Sequence, residues 1–252
     1  MQYDVAIVGF GPTGATLANL LGLHGLSVVV FDREADIYDL PRAVHFDDEV
    51  MRIFQMAGIA DDLLPMLRIN PGMRFVDSDG KLLLDWPRPG GISAQGWNTS
   101  YRFHQPDLER VLRSSVSKLG NVDVYLSHIV DRVTAQHDHA RLDVTPRNGG
   151  EARSFTARYV VGCDGARSAM RSTIGAEMED FGFREQWLVV DVQLTRPRPD
   201  LGDHSIQHCD PNRSATYVRG PGNRRRWEIA LKGSDVDKDF GDHSTVWRVL
   251  QS

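Results

Sequence analysis

The chain has 252 residues, with 29 Lys plus Arg against 34 Asp plus Glu and a formal charge of −5 at pH 7. At 41% hydrophobic and 25% charged, the composition excludes a disordered, collagen-like or disulfide-stapled chain and implies a packed core of one or two domains. The mild acidity gives no basic footprint for nucleic acid.

Met1-Gln2-Tyr3-Asp4 carries no positive charge ahead of its apolar run, and glycines interrupt that run, so no signal peptide is expected. No apolar stretch approaches the roughly 20 residues a membrane helix needs. Cys163 and Cys209 are too few for a disulfide framework and lack metal-type spacing. A reduced, cytoplasmic protein is expected.

Val5 to Val8 reads as a buried parallel strand, Pro12 to His24 as a helix closed by Gly25, and Ser27 to Phe31 as a second parallel strand. Val50, Ile53, Phe54 and Ala57 recur at helical spacing behind Asp47 and Asp48. Met73 to Asp77 and Lys81 to Asp85 flank the turn Ser78-Asp79-Gly80. A Pro- and Gly-rich loop follows, then a helix with Pro106 in its first turn and a stripe of Leu108, Val111, Leu112, Val116 and Leu119. Val122 to Leu126, Ile129 to Thr134, Ala140 to Thr145 and Phe155 to Val161 are strand candidates.

Beyond Gly175 the β-α alternation stops. Gln186 to Thr195, Ser205 to Cys209, Ala215 to Arg219 and Arg226 to Leu231 read as strands between turns. The expected organisation is therefore α/β, a Rossmann-like domain over residues 1–176 followed by a β-rich region over 177–252. The run Arg224-Arg225-Arg226 reads as a solvated strand end rather than an anion site.

Gly9-Phe10-Gly11-Pro12-Thr13-Gly14 fits G-x-G-x-x-G between a strand and a helix. The first glycine permits the tight turn, the second lets backbone approach a pyrophosphate and the third allows close packing, while the helix N-terminus attracts the anion. Asp32 closes the second strand, where its carboxylate can accept from ribose hydroxyls. The fingerprint does not separate NAD from FAD, since both present adenosine diphosphate. A second junction, Val160-Val161-Gly162-Cys163-Asp164-Gly165-Ala166-Arg167-Ser168, places one carboxylate at a glycine turn. From physics alone it is an Asx-type turn or a contact to a cofactor hydroxyl. His137-Asp138-His139 sits at a strand-to-strand turn with no third ligand in view, so no metal is expected.

Together with Pro41-Arg42-Ala43 and Arg171, these motifs resemble the single-component FAD-dependent aromatic hydroxylases of the p-hydroxybenzoate hydroxylase class. The segments Pro41 to Glu49, Phe103-His104-Gln105-Pro106 and Gln186 to Asp191 look most like 3-(3-hydroxyphenyl)propionate hydroxylases. The resemblance implies a FAD-binding domain and a β-rich substrate domain. It places Gly9, Gly11, Pro12, Thr13 and Gly14 on the FAD pyrophosphate, Asp32 on the adenosine ribose and Arg33 beside the adenine. It implies that Arg42 contacts FAD and helps govern flavin movement, that Gln105 reaches the flavin side, and that Asp164 and Gly165 serve both FAD and the reduced nucleotide.

The implied reaction uses NADH or NADPH and O2 to hydroxylate a phenolic ring through a flavin C4a-hydroperoxide, in a site that excludes water. A base near the substrate hydroxyl would help. His208 and Tyr217 are candidates, though packing or surface roles are commoner for such residues, and no catalytic residue is assigned. The family's later Gly-Asp-Ala-Ala-His-type segment is absent from this sequence. The chain is therefore expected to be truncated at its C-terminus, with a partial substrate domain. The alternatives are a noncatalytic nucleotide-binding fragment and a related polyketide or antibiotic hydroxylase. The substrate, the choice of reductant and the oligomeric state stay open.

Overall fold

The computed structural model describes residues 2–235 and 237–251, leaving Met1, Val236 and Ser252 outside the described residues. In chain order the elements are β1 (Gln2–Val8), α1 (Pro12–Leu23), β2 (Val28–Asp32), β3 (His45–Asp47), α2 (Asp48–Met56), α3 (Ala60–Leu63), β4 (Arg68–Ile69), β5 (Gly72–Val76) and β6 (Leu82–Pro87). There follow β7 (Ser100–Arg102), α4 (Gln105–Val116), β8 (Val122–Leu126), β9 (His128–Ala135), β10 (Ala140–Pro146), β11 (Arg153–Gly162) and α5 (Ala169–Thr173). The last are β12 (Trp187–Gln193), β13 (Ser205–His208), β14 (Ala215–Arg219), β15 (Arg224–Ala230) and α6 (His243–Leu250). Two compact units result, one of Met1–Ala43, Val50–Pro65 and Gln105–Glu179, the other of Val44–Glu49, Met66–His104 and Asp180–Ser252.

The first unit is built on a six-stranded sheet in the order β8-β2-β1-β11-β10-β9. Its first four strands run parallel and its last three form an antiparallel meander. Continuous apolar runs suit strands covered on both faces, and Ala6, Ile7, Val28, Val29 and Val30 are completely buried. Small residues let α1 lie close to its neighbours. A side chain at Gly22 would meet Leu119 and Val122 at 2.7 Å, and Asn19 donates across to the Leu112 carbonyl at 3.0 Å. Phe31 anchors an aromatic cluster with Tyr125 and Phe155 at centroid distances of 5.5 and 4.8 Å, and Leu142 and Ala157 are buried in the same core.

The second unit holds a six-stranded sheet, β12-β15-β14-β13-β5-β6, and a three-stranded sheet, β3-β7-β4. Every pairing in both is antiparallel except that of β13 with β5, which aligns Ser205 with Met73 and His208 with Val76. A single boundary near residue 176 follows chain order. Strand pairing does not, because β5 and β6 from the first third of the chain complete a sheet whose other strands lie beyond residue 186. Among the described residues no helix is long and apolar enough to cross a membrane.

The arginine run is not a solvated strand end. Arg225 and Arg226 are 5% and 4% exposed. Arg226 reaches across β15 to β12 and donates from Nε and Nη2 to both carboxylate oxygens of Asp191, each at 2.9 Å. Arg225 donates to the carbonyls of Gly222 and Arg224. Burial of Arg226 is tolerated because its charge meets the Asp191 carboxylate through two bonds.

Leu142, completely buried on β10, tests the first unit's core. Leu142→Ala is expected to lower stability by about 2–5 kcal/mol in urea unfolding followed by circular dichroism. A loss below about 1 kcal/mol would show that the strand relaxes around the cavity.

Candidate functional site

The end of β1, the turn of residues 9–14 and the start of α1 form one tightly packed structure. Gly9 adopts φ +104°, and a Cβ there would lie 2.3 Å from the Cys163 carbonyl oxygen. A Cβ on Gly14 would lie 1.9 Å from the Gly9 carbonyl oxygen. Both glycines are thus required by backbone on the far side. Gly11 differs, since among the described residues nothing beyond its immediate neighbours lies within 4 Å of a Cβ placed on it. Its smallness serves none of the described neighbours and leaves room for a ligand's close approach. Gly11 is the N-cap of α1 with no side-chain cap, Pro12 occupies the first turn, and Thr13 is exposed. The N-terminal end of this helix dipole therefore faces that open side.

Asp32, at the end of β2, accepts from the Phe10 N–H at 2.6 Å through one carboxylate oxygen and from the Glu34 N–H at 2.8 Å through the other. It fixes the glycine turn to the neighbouring strand. Each oxygen keeps a lone pair for a hydroxyl.

A second line of polar contacts runs behind the turn. Gln105, buried at the start of α4, accepts the Arg42 and Ala43 N–H groups on Oε1, both at 2.9 Å, and donates to Glu109 Oε1 at 2.9 Å. Glu109 faces Arg113 at 3.6 Å, and Arg113 donates to the Phe10 carbonyl at 3.0 Å with its guanidinium 4.8 Å from the Phe10 ring centre. The segment at residues 42–43 is therefore tied through α4 to the glycine turn. Sequence reading missed Glu109 and Arg113. Their spacing of four on one helix was the available signal.

The second junction packs against the first. The Cys163 N–H donates to the Val8 carbonyl at 2.7 Å, and a Cβ at Gly162 would lie 2.6 Å from Met170 Cβ. Gly165 takes φ +81°, a conformation that favours glycine. Asp164 accepts from the Ser168 hydroxyl at 2.6 Å and from the Ala169 and Met170 N–H groups at 2.7 and 3.2 Å, while Ser168 caps α5. Partial burial opposes the Asp164 charge, but these hydrogen bonds outweigh it and hold the carboxyl below its usual range.

Arg33 and Arg42 are exposed. Arg33 lies 3.3 Å from Glu34, and the Arg42 guanidinium sits 4.9 Å from the centre of the Tyr38 ring. His208 and Tyr217 belong to the second unit. His208 is half-buried on β13, whereas Tyr217 is buried against Trp227 with its hydroxyl beside Arg225. Burial pushes the Tyr217 hydroxyl up, against the pull of Arg225 and Arg219. In the turn between β9 and β10, His139 Nδ1 lies 2.7 Å from Asp138.

Residues 2–242 match the family described as the FAD binding domain, and the chain belongs to that family. It is similar to the probable NADH-specific resorcinol 4-hydroxylase of Rhodococcus jostii (strain RHA1), with 40% identity over 97% of this chain and 46% of that protein. It is also similar to the 3-(3-hydroxy-phenyl)propionate/3-hydroxycinnamic acid hydroxylase of Mycolicibacterium gilvum (strain PYR-GCK), with 35% identity over 98% of this chain and 42% of that protein. The chain thus spans less than half the length of these curated relatives. Among solved structures, the flavin-dependent monooxygenase PieE, in complex with FAD and substrate, shares the fold with a TM-score of 0.85 at 19% identity, over 98% of this chain and 46% of PieE. The p-nitrophenol 4-monooxygenase PnpA of Pseudomonas putida DLL-E4 shares it with a TM-score of 0.82 at 23% identity, over 99% of this chain and 61% of PnpA.

Gln105→Leu leaves the Arg42 and Ala43 N–H groups without their acceptor. Hydrogen exchange at these two amides is expected to quicken about tenfold or more, while global stability falls by less than about 2 kcal/mol. Unchanged exchange would show that the segment is held by other means. The lowered Asp164 carboxyl adds stability above its unfolded pKa of about 3.9 that is lost as pH falls through the lower folded value. Asp164→Asn is therefore expected to flatten the acid limb of a stability-versus-pH curve, and an unaltered limb would overturn this assignment.

Proposed function

We propose that the first unit binds FAD and that the chain is the front part of a flavoprotein monooxygenase acting on a phenolic substrate such as a 3-hydroxyphenylpropionate. The open space at Gly11, before the uncapped N-terminus of α1 and beside Asp32, carries this reading. A diphosphate needs close backbone approach and N–H donors, and a ribose needs an acceptor. The residues present supply all three. Bound FAD would supply acceptance of hydride from NADH or NADPH and activation of O2 for transfer to the ring. The relative named as NADH-specific favours NADH.

In this reading Gly9 and Gly14 hold the turn in shape, Gly11, Pro12 and Thr13 line the pyrophosphate, and Asp32 accepts from the adenosine ribose. Arg33 lies at the adenine end. Gln105 acts as a positioning residue, since its amide is engaged with the backbone of Arg42 and Ala43 and with Glu109. Arg42 is thereby offered on a tethered segment with its guanidinium exposed, where it can meet the cofactor. Asp164 and Gly165 shape the adjacent turn, and Asp164 keeps lone-pair capacity for a cofactor or nucleotide hydroxyl. The second unit supplies part of a substrate domain. Two free cysteines suit a cytoplasmic setting.

The test is flavin affinity of the 252-residue chain, read by quenching of flavin fluorescence. Asp32→Ala is expected to weaken binding about tenfold or more, a loss of at least ~1.4 kcal/mol, while His139→Ala leaves it unchanged. Equal affinity in the two variants, or no flavin binding by the parent chain, would overturn the cofactor map.

A further inference from the structure

The β14–β15 hairpin places Arg219 directly opposite Arg225. Like charges in that position repel, and these side chains are also buried, at 9% and 5% exposure. Arg68 and Arg102 lie in the same cluster. Arg102 is satisfied by the carbonyls of Gly72, Asp203 and Arg219. Asp203 is the carboxylate shared among these groups, and Arg68 engages both its oxygens. Arg219 Nε stands 3.6 Å from it. Three guanidinium groups, those of Arg68, Arg102 and Arg219, thus surround one carboxylate among the described residues, while Arg225 Nε is buried beside the Tyr217 hydroxyl without a well-formed hydrogen bond.

Burial, then Arg225 and Arg68, lower the Arg219 pKa. Tyr217 and Asp203 pull the other way without outweighing them. The cluster opens onto a cavity of about 610 Å3 between the β12–β13 connection and the β14–β15 turn, which Arg219 and Arg225 line together with Arg196, Arg198 and Asn223. Arg198 is already engaged with Asp200. Arg219 shares the Asp203 carboxylate with Arg68, and Arg225 has only carbonyl partners among the described residues.

We propose that this cavity binds a small oxyanion, a carboxylate or phosphoryl group, gripped by the guanidinium groups of Arg219 and Arg225. A planar guanidinium matches two oxygens of such a group, and an anion here offsets the like-charge pair opposite each other on the hairpin. The site lies wholly within the second unit and is independent of the flavin reading.

Isothermal titration of the 252-residue chain at fixed ionic strength, with inorganic phosphate in one arm and 3-phenylpropionate in the other, tests this. Saturable binding with Kd of about 1 mM or tighter is expected in at least one arm. Phosphate alone assigns a phosphoryl ligand, 3-phenylpropionate alone assigns a carboxylic acid, and both assign a general oxyanion site. Arg225→Met is expected to weaken binding at least tenfold, with Arg141→Gln in the first unit as the unaffected control. Near-ultraviolet circular dichroism monitors folding. Should Arg225→Met not fold, Arg225→Lys keeps the charge but loses the fork and is expected to weaken binding at least threefold. Absence of saturable binding in both arms, or binding unchanged by the folded Arg225 variant, would overturn the proposal.

Discussion

The close approach of the Gly9 and Cys163 backbones governs the first unit. With β1 and β11 paired in parallel, the exits of both strands lie side by side, and a Cβ at Gly9 would sit 2.3 Å from the Cys163 carbonyl oxygen. Gly14 packs against both, since a Cβ there would lie 1.9 Å from the Gly9 carbonyl oxygen and 3.3 Å from Cys163 Cβ. Strand exit, turn and helix start therefore form one layered contact of backbone on backbone. Side chains can repack around a substitution, whereas three packed backbone segments shift only together. The direction of α1, the exposure of Gly11 and the placement of the second junction all follow from this contact.

Each unit draws arginines at least partly out of solvent, and the two use them differently. In the first, Arg113 lies 3.6 Å from Glu109 and donates to the Phe10 carbonyl, so its charge is countered within one turn of helix. In the second, Arg226 is matched by Asp191 through two bonds and Arg219 shares Asp203 with Arg68, but Arg225 relies on carbonyl oxygens at the hairpin turn. Carbonyls satisfy the donors without cancelling the charge. That difference separates a structural ion pair from a site with capacity for an external anion.

Much of the first unit was legible because its signals are local. The glycine turn, the apolar strands beside it and the acidic strand end all lie within the first 32 residues, and periodicity reveals such short units. The Gln105 to Arg113 line was not legible as a network. Its acceptors and donors are a backbone segment 62 residues upstream and a loop carbonyl 103 residues upstream, and only folding brings them together. The arginine run misled for the same reason. Composition made it polar and exposed, while the partner that permits Arg226 to be buried lies 35 residues away on β12. The β5–β13 pairing likewise escapes any reading confined to neighbouring segments.

The electrostatics at the mouth of the glycine turn favour backbone over side chains as the source of positive potential. Two carboxylates, Asp32 and Asp164, flank the strand exits, where a diphosphate would meet repulsion. Asp32 is offset by the N–H groups of Phe10 and Glu34, and Asp164 by two N–H groups and a hydroxyl. Arg33 is near Glu34, and Arg42 lies over Tyr38. Arg113 reaches the turn from behind, through the Phe10 carbonyl, with Glu109 beside it. The remaining attraction is the uncapped start of α1, which acts only within its first turn. A ligand must therefore come into contact with Gly11 to gain from it, and the empty space at that one glycine becomes the geometric condition for binding an anion at all.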